Sequence, residues 1–297
     1  MIIDKLKKPV LPLKENKLSE LCISDKYIIE ALGLFPKQNY LVALLSEKAI
    51  DMLNNNVTNI EVKYDEITHL KGVFLTVEVM DKFSYDAKTR AEFWGIKEDK
   101  MVIKVIISNY DRLALSSLEL KNRIASCLTH EINHGYVMLS KYYNSGVLEF
   151  QPENYEKYLS IYRDDSLDEM SRNIAYLLYS TYRFEIQAMV PQIYQELKGY
   201  FDKTGKEINL NNFKNVLKNT NTYWTFYSGL HYDLPQIIAY LEDQENCSKV
   251  INDFKIHGLN IDKGWLLKNL KDVEKIYTAA LKDISRCAMA YYYDLRA

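Results

Sequence analysis

The chain has 297 residues, of which 47% are hydrophobic and 26% are charged, and its formal net charge is −2 at pH 7. This length is sufficient for one large domain or two closely packed subdomains with a sizeable core. A nearly balanced charge gives no reason to expect binding to nucleic acid or to an anionic membrane surface. No apolar run approaches the length of a membrane span, so no membrane partner is expected.

The cysteines and the first residues of the chain favour a cytoplasmic location. Residues 1–17 are charged and contain Pro9 and Pro12, without the continuous apolar segment of a signal peptide. The 4 cysteines are scattered and form no C-x-x-C pair, which is typical of reduced thiols. Among them, Cys127 is expected to be a small core residue. The sequence does not indicate an oligomeric state.

The first part of the chain is predicted to contain two helices followed by three strands. The helices cover residues 25–34 and 38–53, and the asparagines at residues 54–56 end the second. A charged turn region is predicted over residues 95–100. Alternating apolar and polar residues predict strands over residues 58–64, 73–80 and 101–108.

An H-E-x-x-H motif lies inside the next predicted helix, whose start is indicated by the capping-box pair Ser116 and Glu119. His130 and His134 are one helical turn apart on the same face, so both imidazoles can reach one cation. Neutral imidazoles at this spacing suit Zn²⁺, and Glu131 beside them can take a proton from a zinc-bound water. The alternative is a pair of partly buried histidines without a metal.

A second feature that points to a metal site is a glutamate on the apolar face of a later predicted helix. Residues 168–190 contain no glycine or proline and precede Pro191, so one long helix is predicted there. Glu185 lies in its apolar stripe with Ile174, Leu178, Thr181 and Ala188. A buried carboxylate is costly unless it is paired or bound to a metal, so Glu185 is a candidate third metal ligand.

Other assignments for the third ligand stay open. Glu185 could instead be buried and paired with a cation such as Arg172 or Arg183. The competing carboxylates, which have no buried context, are Glu149, Glu153 and Glu169.

With this motif the chain resembles the zincin metallopeptidases. The resemblance rests on His130, Glu131 and His134, on the helix that carries them and on the β-rich segment before it. It implies an α+β fold in which a small mixed sheet packs on the motif helix. It also implies that an edge strand of the sheet binds an extended peptide or protein substrate through main-chain hydrogen bonds. Residues 101–108 are the candidate edge strand; the alternative is a core strand beneath the helix.

Within the zincins, the chain is most similar to the gluzincins, in which the third ligand is a glutamate from a later helix. The metzincin pattern is absent, because Ser140 and Val137 stand where that pattern has its third histidine and its glycine. The resemblance implies that Zn²⁺ is bound by His130, His134 and Glu185, with Glu131 as the catalytic base.

The histidines outside the motif give weaker indications. An oxyanion donor is expected from His231, in the segment of residues 229–233, or from one of the 24 tyrosines. His69 and His257 are expected at the surface.

Residues 146–297 are predicted to be mostly helical, with helices over residues 210–217, 234–241 and 265–293. We therefore predict an N-terminal α+β subdomain of residues 1–145 that contains the motif helix, and a helical C-terminal subdomain of residues 146–297, packed as one catalytic unit. The expected activity is zinc-dependent hydrolysis of peptide bonds. The alternative is a non-enzymatic zincin-fold protein with a structural or partner-binding role.

Overall fold

A four-stranded sheet precedes a long series of helices in this mixed α+β protein, as seen in a computed structural model. The structure describes residues 25–64, 71–80, 89–145 and 154–296. The predicted order of a small sheet followed by a helical part is therefore confirmed. The predicted division between subdomains at residue 145 stays a prediction.

The sheet has strand order β1-β2-β4-β3, with β2 and β4 parallel and both outer strands antiparallel to their neighbours. The strands are β1 (Asn59–Lys63), β2 (Gly72–Met80), β3 (Arg90–Lys97) and β4 (Lys100–Ser108). The three predicted strands correspond to β1, β2 and β4. The sheet is mixed, as predicted.

The prediction that residues 101–108 form the edge strand is wrong. This segment is β4, which lies between β2 and β3, so the edges of the sheet are β1 and β3. Its apolar character is the physical reason, because one face of this central strand is fully buried beneath the helices, while Lys100, Val102 and Lys104 on the other face are partly exposed. The alternative, a core strand beneath the motif helix, agrees with the structure: Met101, Ile103, Val105 and Ile107 are all fully buried.

Strand β3 was not predicted, because its exposed and buried residues do not alternate regularly. A register irregularity between Phe93 and Gly95 interrupts its pairing with β4, and Gly95 has a φ of 115°, which favours glycine. The tight turn to β4 is made by Glu98 and Asp99, both with positive φ, as in a type I′ hairpin. The observed turn is therefore shorter than the predicted turn region of residues 95–100.

Helices α1 (Asp25–Asn54), α2 (Asn109–Ala114) and α3 (Ser117–Ser145) accompany the sheet. The two helices predicted within residues 25–53 form the single helix α1, and α2 was not predicted. The capping box of α3 is confirmed, since the Ser116 hydroxyl and Glu119 carboxylate lie 2.7 Å apart and each also accepts a backbone N–H of the other. Buried apolar residues fix α3 against the sheet: Leu120, Ile124, Leu128 and Ile132.

A second cluster of buried apolar side chains is built by the helices that follow α3. These helices are α4 (Tyr155–Arg163), α5 (Glu169–Ser180), α6 (Arg183–Thr204), α7 (Leu210–Lys218), α8 (Asn221–Ser228), α9 (Leu234–Glu242), α10 (Gln244–Ile256) and α11 (Lys263–Arg296), with a π-helical turn (Gly229–Asp233) between α8 and α9. The helices predicted at residues 210–217, 234–241 and 265–293 are confirmed. None of the described helices has the length and apolarity to cross a membrane.

The single helix predicted over residues 168–190 is wrong. It is two helices, because α5 ends at Ser180 and Tyr182 is extended, with φ −62° and ψ 133°, before α6 begins. The Thr181 hydroxyl donates to the Leu178 carbonyl oxygen at 2.6 Å, a local bond that competes with helix continuation. Pro191, expected to follow the helix, lies inside α6.

Candidate metal centre

Helix α3 presents adjacent faces to two different elements, the edge strand β3 and helix α6. Cys127 and Glu131 are one turn apart. Glu131 contacts Phe93 of β3, and the Cys127 thiol donates to the carbonyl oxygen of Thr89, the residue before β3, at 3.4 Å. Burial raises the pKa of Cys127 to about 12, so its thiol stays neutral, as expected of a core residue and not of a metal ligand. His130 and His134 face Glu185 of α6 instead.

The two histidines of the motif and Glu185 are close enough to hold one metal ion. The Nε2 atoms of His130 and His134 are 2.9 Å apart. Nε2 of His130 is 3.1 Å from Oε2 of Glu185, and Nε2 of His134 is 3.5 Å from Oε1. A tetrahedral zinc ion with bonds near 2.0 Å separates its ligand atoms by about 3.3 Å, a value inside this observed range.

Glu185 reaches this position because α6 starts afresh at Arg183 and puts Glu185 in its first turn. Its side chain is 1% exposed, so the prediction that it is buried is confirmed. Among the side chains that the structure describes, no lysine or arginine pairs with it, and Arg172 pairs with Asp165 at 2.7 Å. The side chain of Arg183 lies outside those described. The Tyr155 hydroxyl donates to Oε1 of Glu185 at 2.8 Å.

The protonation of this group is set by opposing effects of burial and of charge. Burial opposes ionisation of Glu185, but the hydrogen bonds and charges of His130 and His134 outweigh it and hold the pKa of Glu185 far below its usual value. Burial also disfavours charge on His130, yet its hydrogen bond to Glu185 leaves its pKa above the usual value. The buried carboxylate therefore favours its ionised form and stabilises the protonated form of His130.

Glu131 lies between the metal-binding group and the edge strand. Its Oε2 accepts a hydrogen bond from the backbone N–H of Phe93 in β3 at 2.8 Å. Burial raises the pKa of Glu131, the charge of Glu185 adds to the rise, and the two histidines and the Phe93 N–H oppose it. A partly buried carboxylate with a raised pKa beside a metal-binding group has the properties of a general base.

The other predicted residues that the structure describes are not part of the group. Glu169 is exposed, and Glu149 and Glu153 lie outside the described residues, as does His69. His231 is exposed, and its ring packs against Tyr227 with 4.4 Å between centroids. His257 is only partly exposed, because it contacts Asp164 and Ser160.

Sequence reasoning missed three contributors to the site: the hydroxyl of Tyr155, the side chain of Gln192, which helps to raise the pKa of His130, and the backbone of Phe93. Tyr155 is one of 24 tyrosines, and no spacing distinguishes it from the others. Gln192 is seven residues after Glu185, so the helical period could have pointed to it once Glu185 was chosen. A backbone contact leaves no trace in the sequence.

No protein-family model, no curated protein and no solved structure matches this chain. The similarity to zincins therefore rests on the H-E-x-x-H residues and on the geometry of the group that they form with Glu185.

Proposed function

We propose that the chain is a zinc-dependent peptidase of the gluzincin type. The observation that carries the proposal is the close group formed by the partly buried His130 and His134 and the buried Glu185, with Glu131 next to His130 in the sequence. The same helix holds both histidines and the base, while a second helix brings the carboxylate. This is the arrangement that metal-assisted hydrolysis requires.

The donor set fits zinc better than the other common divalent cations. Two imidazoles and one carboxylate are the ligands of many catalytic zinc sites, which leave a fourth position open, whereas Ca²⁺ and Mg²⁺ prefer oxygen ligands throughout. Zinc bound by His130, His134 and Glu185 supplies a Lewis acid, which lowers the pKa of a water and polarises a carbonyl group. It would also neutralise the buried charge of Glu185, which has no described lysine or arginine partner.

Glu131 is the proposed general base. Its carboxylate takes a proton from the attacking water and returns it to the leaving amine, so no covalent intermediate forms. The Phe93 N–H holds one carboxylate oxygen and thereby fixes the direction of the group. The raised pKa of Glu131 makes its carboxylate a stronger base than an exposed glutamate.

Strand β3 is the proposed binding element for an extended substrate. It is an edge of the sheet, and its Phe93 N–H reaches Glu131, so the strand passes directly beside the proposed base. An extended peptide can add to such an edge through main-chain hydrogen bonds. This role belongs to β3 and not to β4, which has no free edge.

Metal analysis combined with turnover of a generic unfolded protein tests the proposal. We expect about one zinc per chain and hydrolysis of the substrate. Glu131→Gln is expected to retain zinc and to lose turnover by roughly 10²- to 10⁴-fold, the usual contribution of a general base. Glu169→Gln, at an exposed position, is the matched control and keeps both properties.

The possible outcomes separate the two hypotheses of the sequence analysis. Zinc at full occupancy without turnover in any variant would favour the non-enzymatic zincin-fold protein. Absence of zinc, with none taken up on addition, would overturn the metallopeptidase proposal. Loss of zinc from Glu131→Gln would make Glu131 a ligand and not the base.

A further inference from the structure

A serine, a histidine and an aspartate meet where helix α4 contacts the end of helix α10. Oγ of Ser160 is 2.9 Å from Nδ1 of His257, and Nε2 of the same imidazole is 3.1 Å from Oδ2 of Asp164. None of the three belongs to the candidate metal centre. A hydroxyl, an imidazole and a carboxylate connected in this order are the parts of a nucleophilic catalytic group.

Helical periodicity and one turn explain how these side chains meet. Ser160 and Asp164 are four residues apart, so they lie on one face at the end of α4, where Asp164 is the C-cap. His257 is the C-cap of α10, and Gly258, with a φ of 76°, turns the chain directly after it. Nζ of Lys157 donates to the Gly258 carbonyl oxygen at 3.1 Å and joins the same two elements. The fold thus brings His257 to side chains that are 93 and 97 residues away in the sequence.

The hydrogen bonds of Asp164 determine the tautomer of His257. Oδ1 of Asp164 accepts from the Ser166 hydroxyl at 2.6 Å and from the Ser166 backbone N–H at 3.0 Å, and these bonds lower the pKa of Asp164. An ionised carboxylate only accepts hydrogen bonds, so Nε2 of His257 carries the proton that lies toward Oδ2. In the neutral imidazole the lone pair is then on Nδ1, the nitrogen that faces Ser160.

The Ser160 hydroxyl has one proton and two acceptors within reach. The carbonyl oxygen of Lys157 is 2.8 Å from Oγ, and Nδ1 of His257 is 2.9 Å from it. When the hydroxyl donates to Nδ1, the neutral imidazole is in position to remove its proton. Ser160 is exposed, whereas the side chain of His257 is only 17% exposed. A small molecule can therefore reach the hydroxyl while the imidazole is held in place behind it.

We propose that Ser160 is the nucleophile of a second site, with His257 as its base and Asp164 as the residue that orients the base, and that this site hydrolyses small activated esters. Oγ of Ser160 attacks the ester carbonyl carbon, and the hydroxyl proton passes to Nδ1 of His257. The bond from that carbon to the leaving alcohol then breaks, and the alcohol oxygen takes the proton. Water attacks the acyl-serine by the same route, which releases the carboxylic acid and restores Ser160. This activity is independent of the proposed peptidase.

The surroundings of Ser160 indicate the substrate class. Backbone N–H groups around Ser160 take part in the hydrogen bonds of α4, so they do not form an oxyanion hole. Lys157 lies three residues before Ser160 on the same face, and its ammonium group has two more N–H groups than the one used by the Gly258 carbonyl oxygen. An exposed ammonium group stabilises an oxyanion less than buried donors do. The site therefore requires a good leaving group, as in an aryl ester.

The test is covalent labelling of the full chain with a fluorophosphonate probe, which forms an oxygen–phosphorus bond with an activated serine and releases fluoride. Mass spectrometry of the resulting peptides is expected to find the label on Ser160. The internal control is Ser248, an exposed serine of α10 whose hydroxyl also bonds a helix carbonyl oxygen, that of Gln244, at 2.8 Å. Ser160 is expected to react at least about 10-fold faster than Ser248, since a positioned general base contributes about 100-fold or more.

Two substitutions test the roles of the imidazole and the carboxylate. His257→Gln removes the base and is expected to reduce the labelling rate of Ser160 to that of Ser248. Asp164→Asn can donate to Nε2 and so favours the wrong tautomer of His257, which is expected to slow labelling by at least about 10-fold. The matched control is Ser248→Ala, which is expected to label at the parent rate. With p-nitrophenyl acetate, the parent chain is expected to carry an acetyl group on Ser160, and Ser160→Ala is expected to lose both this group and the turnover that depends on it.

A smaller ratio between the labelling rates of Ser160 and Ser248 would overturn the proposal, as would a His257→Gln chain that labels as fast as the parent. The three side chains would then only join α4 to α10. If a variant does not fold, the comparison of the two serines within the parent chain decides. A parent chain that labels at Ser160 but binds no zinc and cleaves no peptide would remove the proposed peptidase and leave this second site.

Discussion

Glu185→Gln is the substitution that most directly tests the site, because it keeps the size of the side chain and removes its charge. Its carboxylate lies 3.1 Å from Nε2 of His130, and its side chain is 1% exposed. Breaking a buried charge pair by removing one partner typically costs about 3–5 kcal/mol. Applied to a bound zinc ion, this loss corresponds to a rise in Kd of roughly 10²- to 10⁴-fold.

The assay is chelator competition for zinc with the purified chain, and Glu169→Gln is the matched control. Glu169 is an exposed carboxylate that was a competing candidate for the third ligand, so its substitution is expected to leave the Kd unchanged. A Glu185→Gln variant whose zinc Kd stays within about threefold of the parent chain would refute the assignment of Glu185 as a ligand. The buried carboxylate would then be only a partner of the two histidines.

Two further predictions follow from the contacts of the ligands. Tyr155→Phe removes the 2.8 Å hydrogen bond to Glu185 and is expected to weaken zinc binding by about 10- to 100-fold. The control is Tyr179→Phe, because the Tyr179 hydroxyl hydrogen-bonds Tyr155 and not Glu185, and a smaller effect is expected in the same assay. The pKa of His130 is raised, so at low pH zinc must displace a proton from this histidine. Zinc affinity is therefore expected to rise with pH and to become constant above the pKa of His130, which zinc titrations at several pH values would measure. In Glu185→Gln the largest cause of the raised His130 pKa is removed, so the rise in zinc affinity is expected at lower pH.

Local geometry explains why the motif could be read from the sequence. The spacing of His130 and His134 fixes their relative position once the segment is helical, and Ser116 with Glu119 indicated that helix correctly. No comparable local rule exists for β3. Its exposed Trp94 and the irregularity before Gly95 remove the alternation that revealed the other strands.

The burial of Glu185 and its place beside the two histidines are confirmed, but part of the reason for choosing it was wrong. The stripe that contained it was drawn through Thr181, where α5 has already ended, so Ile174 and Glu185 do not share one helix. The valid part of the reasoning was the cost of burying a carboxylate without a partner, which does not depend on helix boundaries. Tyr155 and Gln192 could not be found in this way, because neutral polar groups carry no comparable cost in a sequence.

The position of the candidate metal centre between the two apolar clusters leads to a prediction about stability. His130 and His134 lie on α3, whose residues Leu128 and Ile132 belong to the cluster of the sheet. Glu185 lies on α6, whose apolar residues belong to the helical cluster. A metal bound by both helices therefore links the two clusters, and unfolding of either one releases it.

Zinc is accordingly expected to stabilise the whole chain and not only one cluster. At a free zinc concentration of 1,000 times the Kd, binding adds about 4 kcal/mol to the free energy of unfolding, which corresponds to a rise in Tm on the order of 10 °C for a chain of this size. Calorimetry with and without zinc measures the shift, and Glu185→Gln at the same zinc concentration is expected to lack it. A different result would be two separate unfolding transitions in the presence of zinc, with a raised Tm for only one of the two clusters. In that case the metal is held by α3 alone, and Glu185 does not take part in binding it.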